Sequence, residues 1–409
     1  MKIVYDIALR VYYLLVLIVS FFSEKAIKWI EGRKNLFEQI KLNIKENENI
    51  VWFHSASLGE FEQGRPVIEA LKKKRTDIKI LVTFFSPSGY EARKNYPYAD
   101  YIFYLPLDFY GNAKNFIDIV KPSAVYFIKY EFWYNYVHIL HSKNIPVYCI
   151  SANFRANQVF FKWYGNWFRK ILTFFTHIYV QNKKSEELLK NIGINNVSIS
   201  GDTRFDRVFQ ISHAARQIPI IEQFVNYQMT MVAGSTWPQD DELLVRHINE
   251  TNIKCKYIIV PHEIHPDHIE KLVHDLKKKT IRYSQAEGKE LSSYSTLIID
   301  NIGILSSVYQ YGKIAYIGGG FGKGIHNILE AATFGLPILF GPNYQKFQEA
   351  LDLVEAGGSF SINNYADLTK FIHLFLSDSL QLEKASAICR NYVKNNIGAT
   401  EIILKNSKI

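Results

Sequence analysis

Cysteine is scarce in this sequence, and the three that occur, Cys149, Cys255 and Cys389, show no paired spacing. An odd number of widely separated cysteines supports neither a disulfide framework nor a zinc knuckle. Low-complexity tracts and short-period repeats are also missing, and charged residues make up an ordinary 21% of the chain. These absences favour a folded protein of a reducing compartment over a disulfide-rich or a largely disordered one.

The length and charge of the chain leave several functions open. Its 409 residues are enough for two domains, because single domains usually hold about 100–200 residues. The net charge is +9, with a sequence pI near 9.1. Such a balance fits nucleic acid, an anionic membrane surface or an acidic substrate equally well, so the residue pattern has to choose among them.

No confident membrane span stands out near the N-terminus. The apolar run Val11–Phe22 is short for a span of about 20 residues, and no signal-peptide cleavage site follows it. A basic flank does follow: Lys25, Lys28, Arg33 and Lys34. Such a flank predicts that the folded body stays in the cytoplasm. We expect residues 1–30 to form a retained hydrophobic anchor helix at the inner membrane, with a helix buried in the core as the alternative.

Short apolar runs alternate with amphipathic segments along the rest of the chain, as in IVWFHSA before Glu60–Lys74 and AVYFIK before Phe132–Ser142. Near-continuous apolar strands predict parallel sheets covered on both faces. The polar stretch 206–217 is typical of a linker, and MTMVAGS, CKYIIVPH and KIAYIGGG restart the rhythm after it. The pattern predicts an α/β protein with two Rossmann-like domains, residues 31–205 and 218–409, facing a cleft as in the glycosyltransferase B (GT-B) architecture.

The stretch YIGGGFGKGIHNILEAATFGLPILFGP, Tyr316–Pro342, predicts a strand, a loop that contains Gly322 and Gly324, and a helix that ends at Gly335. Backbone N–H groups at a helix N-terminus stabilise an anion. In the dinucleotide fingerprint the ribose-binding acid comes about 20 residues later, whereas here Glu330 lies inside the same helix. The arrangement therefore favours a nucleotide-sugar over NAD.

The segment HSASLGE places Glu60 where the first strand ends and a helix begins. Ligands collect at the carboxyl ends of strands in open parallel sheets. Because the start of a helix favours the ionised form of a carboxylate, Glu60 suits a general base. The alternative is a charge that only stabilises the helix dipole.

The segment FIKYEFWYN places Glu131 after another strand, with Trp133 as a candidate wall for a sugar or acyl site. A capping or solvated carboxylate is the alternative for Glu131.

In AGSTWPQDDELL, Gly234, Ser235 and Thr236 close a strand just before a helix with an acidic first turn. Small hydroxyl residues there either bind a phosphate or cap the helix.

Two further segments carry weaker signals. VPHEIHPDHIEKL contains His262, His265 and His268, but Pro266 interrupts a shared helical face, so no metal site is expected. The stretch 160–175, FFKWYGNWFRKILTFF, interleaves aromatic and basic residues. It fits lipid headgroups better than nucleic-acid bases, since no RNA-binding motif accompanies it; a buried aromatic helix is the alternative.

Taken together, these motifs resemble the 3-deoxy-D-manno-octulosonic acid (Kdo) transferase family. ASLGE resembles the family's ASVGE, YEFWYN its TELWPN, GSTWPQDDE its GSTHPGEEE, and HNILEAATFGLPILFGP its HNPLEPAAFGKPVLFGP. The resemblance implies that Glu60 is the catalytic base, that Glu131 is a second catalytic residue, and that Asn327 and Glu330 hold the nucleotide. The other residues predicted to bind the donor are Gly234, Ser235, Thr236, His262, Gly322 and Gly324. The departures from the family include Lys129-Tyr130-Glu131 for the family's ETE and His262 in place of the arginine of PRHPER.

The resemblance also implies the reaction and its partners. The donor would be CMP-Kdo, the acceptor a lipid A precursor (lipid IVA) at the inner membrane surface, and the reaction an inverting transfer without a cofactor, a metal or nucleic acid. Two alternatives stay open. One is another GT-B enzyme that uses a UDP-sugar, either a transferase or an epimerase. The other is an inert lipid-binding protein of the membrane surface.

Overall fold

The structure, a computed structural model, describes residues 1–407. It divides into two compact units, each with its own parallel sheet. The first unit holds residues 1–207 and the last helix of the chain, and the second holds Val208–Asn396. The predicted α/β class with two parallel sheets is confirmed.

Seven strands form the sheet of the first unit. They are β1 (Ile50–Ser55), β2 (Lys79–Phe84), β3 (Tyr101–Tyr104), β4 (Ala124–Ile128), β5 (Val147–Ala152), β6 (His177–Val180) and β7 (Val197–Ile199). Their order is β3-β2-β1-β4-β5-β6-β7, with every neighbouring pair parallel. Because side chains alternate along a strand, Trp52 packs into the core on one face of the sheet and Phe53 into the core on the other.

Helices cover both faces of this sheet. They are α1 (Lys2–Val19), α2 (Glu24–Glu31), α3 (Leu36–Asn43), α4 (Leu58–Lys74), α5 (Pro87–Arg93), α6 (Tyr110–Val120), α7 (Tyr134–Ser142), α8 (Asn166–Leu172), α9 (Lys183–Lys190) and α10 (Thr203–His213). Phe116 of α6 packs into the same core as Trp52, whereas Phe61 of α4 packs into the core that contains Phe53. The strands are therefore buried on both sides, as their continuous apolar runs predict.

The second unit repeats this plan. Its strands are β8 (Thr230–Thr236), β9 (Lys256–Pro261), β10 (Thr280–Arg282), β11 (Thr296–Ile298), β12 (Ile314–Ile317), β13 (Ile338–Phe340) and β14 (Ser359–Ser361). Their order is β10-β11-β9-β8-β12-β13-β14. Its helices are α11 (Pro219–Val225), α12 (Pro238–Glu250), α13 (Pro266–Asp275), α14 (Leu305–Val308), α15 (Leu329–Ala332), α16 (Gln348–Ala356), α17 (Tyr365–Ser377) and α18 (Ser379–Asn396).

The final helix, α19 (Ala399–Asn406), returns to the first unit. The Asp206 carboxylate accepts the backbone N–H groups of Gly398 at 2.6 Å and of Thr400 at 2.7 Å. Ile403 is fully buried in a core cluster of the first unit. The predicted boundary of 218–409 for the second domain therefore differs from the structure, because this contact depends on a residue far away in sequence.

The predicted linker 206–217 also differs from the structure, since α10 occupies Thr203–His213 and crosses the boundary between the units. Phe205 and Val208, three residues apart, are its buried apolar side chains. Such a short apolar stripe gives a weak helical period in the sequence, and the segment therefore resembles a polar connection.

The N-terminal residues 1–30 form two helices rather than one, α1 and most of α2. The inner face of α1 is attached to the first unit, where Leu9 is buried and the Tyr5 hydroxyl donates to Asp108 Oδ2 at 2.6 Å. Within residues 1–407, no helix is both long enough and apolar enough to span a bilayer. The membrane anchor therefore stays a prediction.

Candidate active site

One group of candidate residues lies in the first unit, where β1 ends and α4 begins. Ser57 is the N-cap of α4, and Glu60 is its third helical residue. Glu60 Oε2 accepts the backbone N–H groups of Ala56 at 2.7 Å and of Ser57 at 3.2 Å. The bond from the N-cap N–H to the acid at the third helical position is the one that such an acid makes in a capping box, so the capping role considered as the alternative for Glu60 is present.

Capping does not keep the pKa of Glu60 in the usual range of a carboxyl group. Burial raises its pKa to about 7, and the negative charge of Glu131 adds to the rise, while the two backbone hydrogen bonds oppose it. The helix start does favour the ionised form through these two bonds, but the net shift runs the other way, because desolvation has the larger effect on the pKa. A carboxylate that titrates near neutral pH is well suited to accept a proton from a hydroxyl.

Glu131 follows β4 and is held by two other side chains. Trp133 Nε1 donates to Glu131 Oε2 at 2.7 Å, and His54 Nε2 lies 3.2 Å from the same oxygen. The side chain of Glu131 is 11% exposed, and that of His54 is fully buried. Trp133, predicted as a wall of the site, therefore also supports the carboxylate of Glu131.

Hydrogen bonds hold the ring of His54 in place. Trp52 Nε1 can only donate, so Thr83 Oγ1 accepts its proton at 2.7 Å. His54 Nδ1 lies 2.8 Å from the same hydroxyl oxygen and 3.1 Å from the Thr83 carbonyl oxygen. These contacts on one side of the ring leave Nε2 facing Glu131.

Lys129 lies just before Glu131 in an unusual backbone conformation, with φ +64°. Such left-handed backbone at a residue with a side chain costs about 1–3 kcal/mol and persists only where the surroundings fix it. Here its N–H donates to the Ile150 carbonyl at 2.9 Å, and its carbonyl accepts from Cys149 Sγ at 3.2 Å. The positive charge of Lys129 lowers the pKa of Glu60, against the larger effect of burial.

A separate group of candidate residues lies in the second unit, at the carboxyl ends of β8 and β12. The Gly318 N–H donates to the Gly234 carbonyl at 2.9 Å, and a Cβ on Gly318 would lie 2.2 Å from the Ser235 carbonyl oxygen. No side chain fits at Gly318, so the two segments are in direct contact. Thr236 is almost fully buried, while Ser235 is partly exposed and adopts φ +53°. Their role in binding phosphate stays a prediction.

The glycine-rich loop does not lead directly into a helix. α15 begins only at Leu329 and has four residues, so the expected helix N-terminus near Gly324 is wrong. The loop instead closes on itself, because the N–H groups of Gly322 and Gly324 donate to the Gly319 carbonyl at 3.0 and 3.2 Å. Gly324 has φ +138°, which residues with a Cβ rarely adopt. An anion here would meet loop N–H groups rather than a helix dipole.

Three rings stack beside this loop. The ring of His262 lies 4.7 Å from that of Trp237 and 4.3 Å from that of His326. Trp237 Nε1 donates to His326 Nε2 at 2.9 Å, so His326 is neutral with its proton on Nδ1. Burial, with the neighbouring His262, lowers the pKa of His326 to about 4. The predicted donor residue His262 is therefore beside the loop, with Trp237 and His326 as unpredicted neighbours.

Asn327 and Glu330 lie side by side after the loop. Asn327 Nδ2 donates to Glu330 Oε1 at 3.1 Å, and Ser306 Oγ donates to Glu330 Oε2 at 2.5 Å. Tyr309 connects this pair with the end of β8. Burial and the charge of Glu330 raise the pKa of Tyr309, and a Cβ on Gly234 would lie 2.0 Å from its hydroxyl. The two residues predicted to hold a nucleotide are thus neighbours, and that role stays a prediction.

The three histidines of VPHEIHPDHIEKL contact different groups. His262 stacks on Trp237, His265 lies 3.5 Å from Glu263, and His268 Nε2 lies 2.7 Å from Asp241 Oδ2. Across residues 1–407, no three histidine, cysteine or acidic side chains are grouped so that they could hold a metal ion.

Known proteins match this chain over much of its length. A family profile described as "3-Deoxy-D-manno-octulosonic-acid transferase (kdotransferase)" matches residues 31–207. The 3-deoxy-D-manno-octulosonic acid transferase of Aquifex aeolicus is 29% identical over 356 residues, covering 85% of this chain and 92% of that protein. Its Haemophilus influenzae counterpart is 27% identical over 372 residues, covering 87% and 85%. Over most of its length, this chain is similar to proteins of the Kdo transferase family.

The transferase is accordingly a glycosyltransferase, and the resemblance read from its motifs is confirmed. Solved structures agree on the fold. The UDP-GlcNAc 2-epimerase of Neisseria meningitidis, crystallised with UDP-GlcNAc, matches with a TM-score of 0.61 and 18% identity, covering 87% of this chain and 98% of that one. At this identity the match shows only that the two proteins share a fold.

Proposed function

We propose that this transferase moves Kdo from CMP-Kdo to lipid IVA, a lipid A precursor, with inversion at the anomeric carbon, as a step of lipopolysaccharide core biosynthesis. The relatives that carry the name Kdo transferase support the transferred sugar. One observation carries the proposal. Glu60 lies at the carboxyl end of β1, and burial raises the pKa of its side chain to about 7.

In the proposed reaction, a primary hydroxyl of the acceptor attacks the anomeric carbon of Kdo. Its proton passes to Glu60 as the new C–O bond forms, and the bond between the anomeric carbon and the phosphate oxygen of CMP breaks. The phosphate of CMP gains one negative charge, which the hydroxyl of Ser235 would stabilise together with N–H groups of the glycine loop other than those of Gly322 and Gly324, which donate to the Gly319 carbonyl. No atom changes its oxidation state overall, so the step balances without a redox cofactor.

Asn327 and Glu330 are proposed to hold the nucleotide. Asn327 binds one carboxylate oxygen of Glu330 and Ser306 binds the other, so the carboxylate has a fixed orientation. Each oxygen keeps a further lone pair, which could accept a ribose hydroxyl. Such a bond to a charged acceptor is stronger than one between neutral groups.

The test is a transfer assay with CMP-Kdo and lipid IVA, analysed by mass. Wild-type protein should add the mass of Kdo, and Glu60→Gln should not do so at a comparable rate. Asp367→Asn is the matched control, because Asp367 is also the third residue of a helix and caps it, accepting the Asn363 N–H at 2.9 Å. Wild-type protein that transfers sugar only from a UDP-sugar would replace this proposal with the GT-B alternative.

We also infer that α1 lies on the cytoplasmic face of the inner membrane. The outer face of α1 is apolar and strongly exposed: Ile3 74%, Ile7 51%, Leu14 57% and Ile18 58%. The water-facing side of an amphipathic helix is usually polar. The outer face of α1 is apolar instead, which favours contact with an apolar surface such as lipid. Tyr5 of α1 lies 5.6 Å from Trp167, ring to ring, which brings the aromatic and basic stretch 160–175 beside it.

Point substitutions test the membrane contact better than removal of the helix, since deletion would also separate Tyr5 from Asp108. Leu14→Glu with Ile18→Glu should abolish flotation with vesicles that contain phosphatidylglycerol, because both changes put charge on the apolar face. Ile302→Glu is the control, since Ile302 is 84% exposed in the second unit. Equal flotation of all three proteins would contradict the inferred surface.

A further inference from the structure

Asp240 is a buried carboxylate that the proposed reaction leaves without a role. It is the third residue of α12 and is 1% exposed. Two backbone N–H groups, those of Trp237 and Gly319, donate to its Oδ2 at 2.9 Å each, and the Tyr316 hydroxyl donates to its Oδ1 at 2.6 Å. Both of its oxygens are therefore engaged by protein donors.

These donors come from distinct parts of the second unit. Trp237 ends the turn after β8, Gly319 begins the loop after β12, and Tyr316 lies within β12 itself. Hydrogen bonds to an ionised acceptor are stronger than bonds between neutral groups. Loss of this acceptor would leave the buried N–H of Gly319 unpaired, which costs more than the bond itself contributes. One side chain thus connects the two segments that carry most of the predicted donor residues.

The packing between these two segments leaves little freedom. Gly318 meets the backbone of Ser235 so closely that an added Cβ would lie 2.2 Å from its carbonyl oxygen. Ser235 itself has φ +53°, an unfavourable conformation that persists only when the surrounding structure holds it. Strand pairing and the Gly318 N–H bond to the Gly234 carbonyl join the two segments at one end, and Asp240 adds bonds to both segments beyond it.

We propose that Asp240 is a positioning residue, which holds the donor turn (234–237) and the glycine loop (318–324) at the spacing that binds the CMP part of the donor. This inference rests on the proposed function. Asp240 does not touch the donor in this account; it acts through the backbone of Trp237 and Gly319.

The bonding pattern predicts how substitutions differ. Asp240→Ala removes all three acceptor contacts and should raise the Kd for CMP by at least about tenfold. Asp240→Asn should bind CMP nearly as wild type does, because its one carbonyl oxygen can take both N–H groups while its amide faces the Tyr316 hydroxyl, which can accept. A role for the negative charge alone would make Asn as damaging as Ala.

The experiment measures CMP binding by calorimetry and backbone exchange by hydrogen–deuterium mass spectrometry on full-length protein. Asp240→Ala should weaken CMP and speed exchange in both 234–237 and 318–324, whereas Asp367→Ala, which removes an equivalent cap in α17, should do neither. Gly318→Ala gives a second route if Asp240→Ala fails to fold. Gly318→Ala pushes the same two segments apart while Asp240 is intact, and it should also raise the Kd for CMP.

The outcomes distinguish two failures. Wild-type protein that does not bind CMP overturns the proposed function, while the exchange rates still decide whether Asp240 holds the two segments. Wild-type protein that binds CMP, with folded Asp240→Ala of lower Tm but unchanged Kd and unchanged exchange in the loop, overturns the positioning role. Asp240 would then be only a helix cap.

Discussion

Glu60 and Asp240 occupy equivalent places in two similar sheets. β1 lies between β2 and β4, and β8 lies between β9 and β12. Each strand is followed by a helix whose third residue is the acid, and each acid accepts the backbone N–H of its N-cap residue, Ser57 or Trp237. The same local chemistry therefore appears once in each unit.

The two acids differ in what else they hold. Both backbone donors of Glu60, Ala56 and Ser57, belong to its own turn, so Glu60 can exchange a proton without releasing another segment. Asp240 also binds Gly319 and Tyr316 from a different strand and its loop. An acid at the third position of a helix can therefore either react or hold neighbouring segments together. Which role it has depends on whether residues far away in sequence also bind it.

The largest effect expected is on turnover. Glu60→Gln should lower kcat by ~10²–10⁴, the usual contribution of a positioned base, because the amide keeps the shape but cannot accept the proton. CMP affinity should be unchanged, since the CMP residues belong to the other unit. Transfer kinetics and calorimetry check both. Activity of Glu60→Gln within a few-fold of wild type would contradict its role as the base, and Glu60 would then be a helix cap like Asp240.

A second substitution should affect binding instead of reaction. Glu330→Ala should raise the Kd for CMP by about 10- to 150-fold, because a hydrogen bond to a charged group contributes roughly 1.5–3 kcal/mol. Glu355→Ala, an exposed acid of α16, is the control and should bind CMP normally. An unchanged Kd in folded Glu330→Ala would leave Asn327 and Glu330 without a nucleotide role.

A smaller effect is expected in the support of Glu131. Thr83→Val removes the hydroxyl that lies 2.8 Å from His54 Nδ1, so the ring loses one of the contacts that hold its Nε2 toward Glu131. We expect kcat to fall by about 2- to 13-fold, the range that follows from one net hydrogen bond, with KM for the donor unchanged. Thr230→Val, at a fully buried threonine of β8, is the control. Equal losses in both variants would indicate packing alone.

The strands and the main motifs could be predicted from the sequence because both depend on local pattern. Runs such as IVWFHSA and KIAYIGGG are continuous and apolar, and the acid after each strand can be located by position. Glu60 and Glu131 were found in this way. The family motifs placed His262, Asn327 and Glu330 in the second unit, where the structure brings them to the loop.

Other features depend on contacts between distant residues and could not be predicted. His54 matters through Thr83 and Glu131, and Asp240 through Gly319, which lies 79 positions away. The return of α19 depends on Asp206 in the same way. The pKa of Glu60 also escaped prediction, because the helix start suggested an ionised carboxylate while burial sets the opposite direction.

The central claim, that Glu60 is the base, is tested most directly by the pH dependence of kcat/KM, which reports the free enzyme. Because Glu60 must be ionised to accept a proton, kcat/KM should rise with pH through about 7, the pKa that burial and Glu131 set. Glu131→Gln removes the neighbouring negative charge, so the rise should move to lower pH. A profile that is flat through neutral pH, or one that Glu131→Gln leaves in place, would contradict the account.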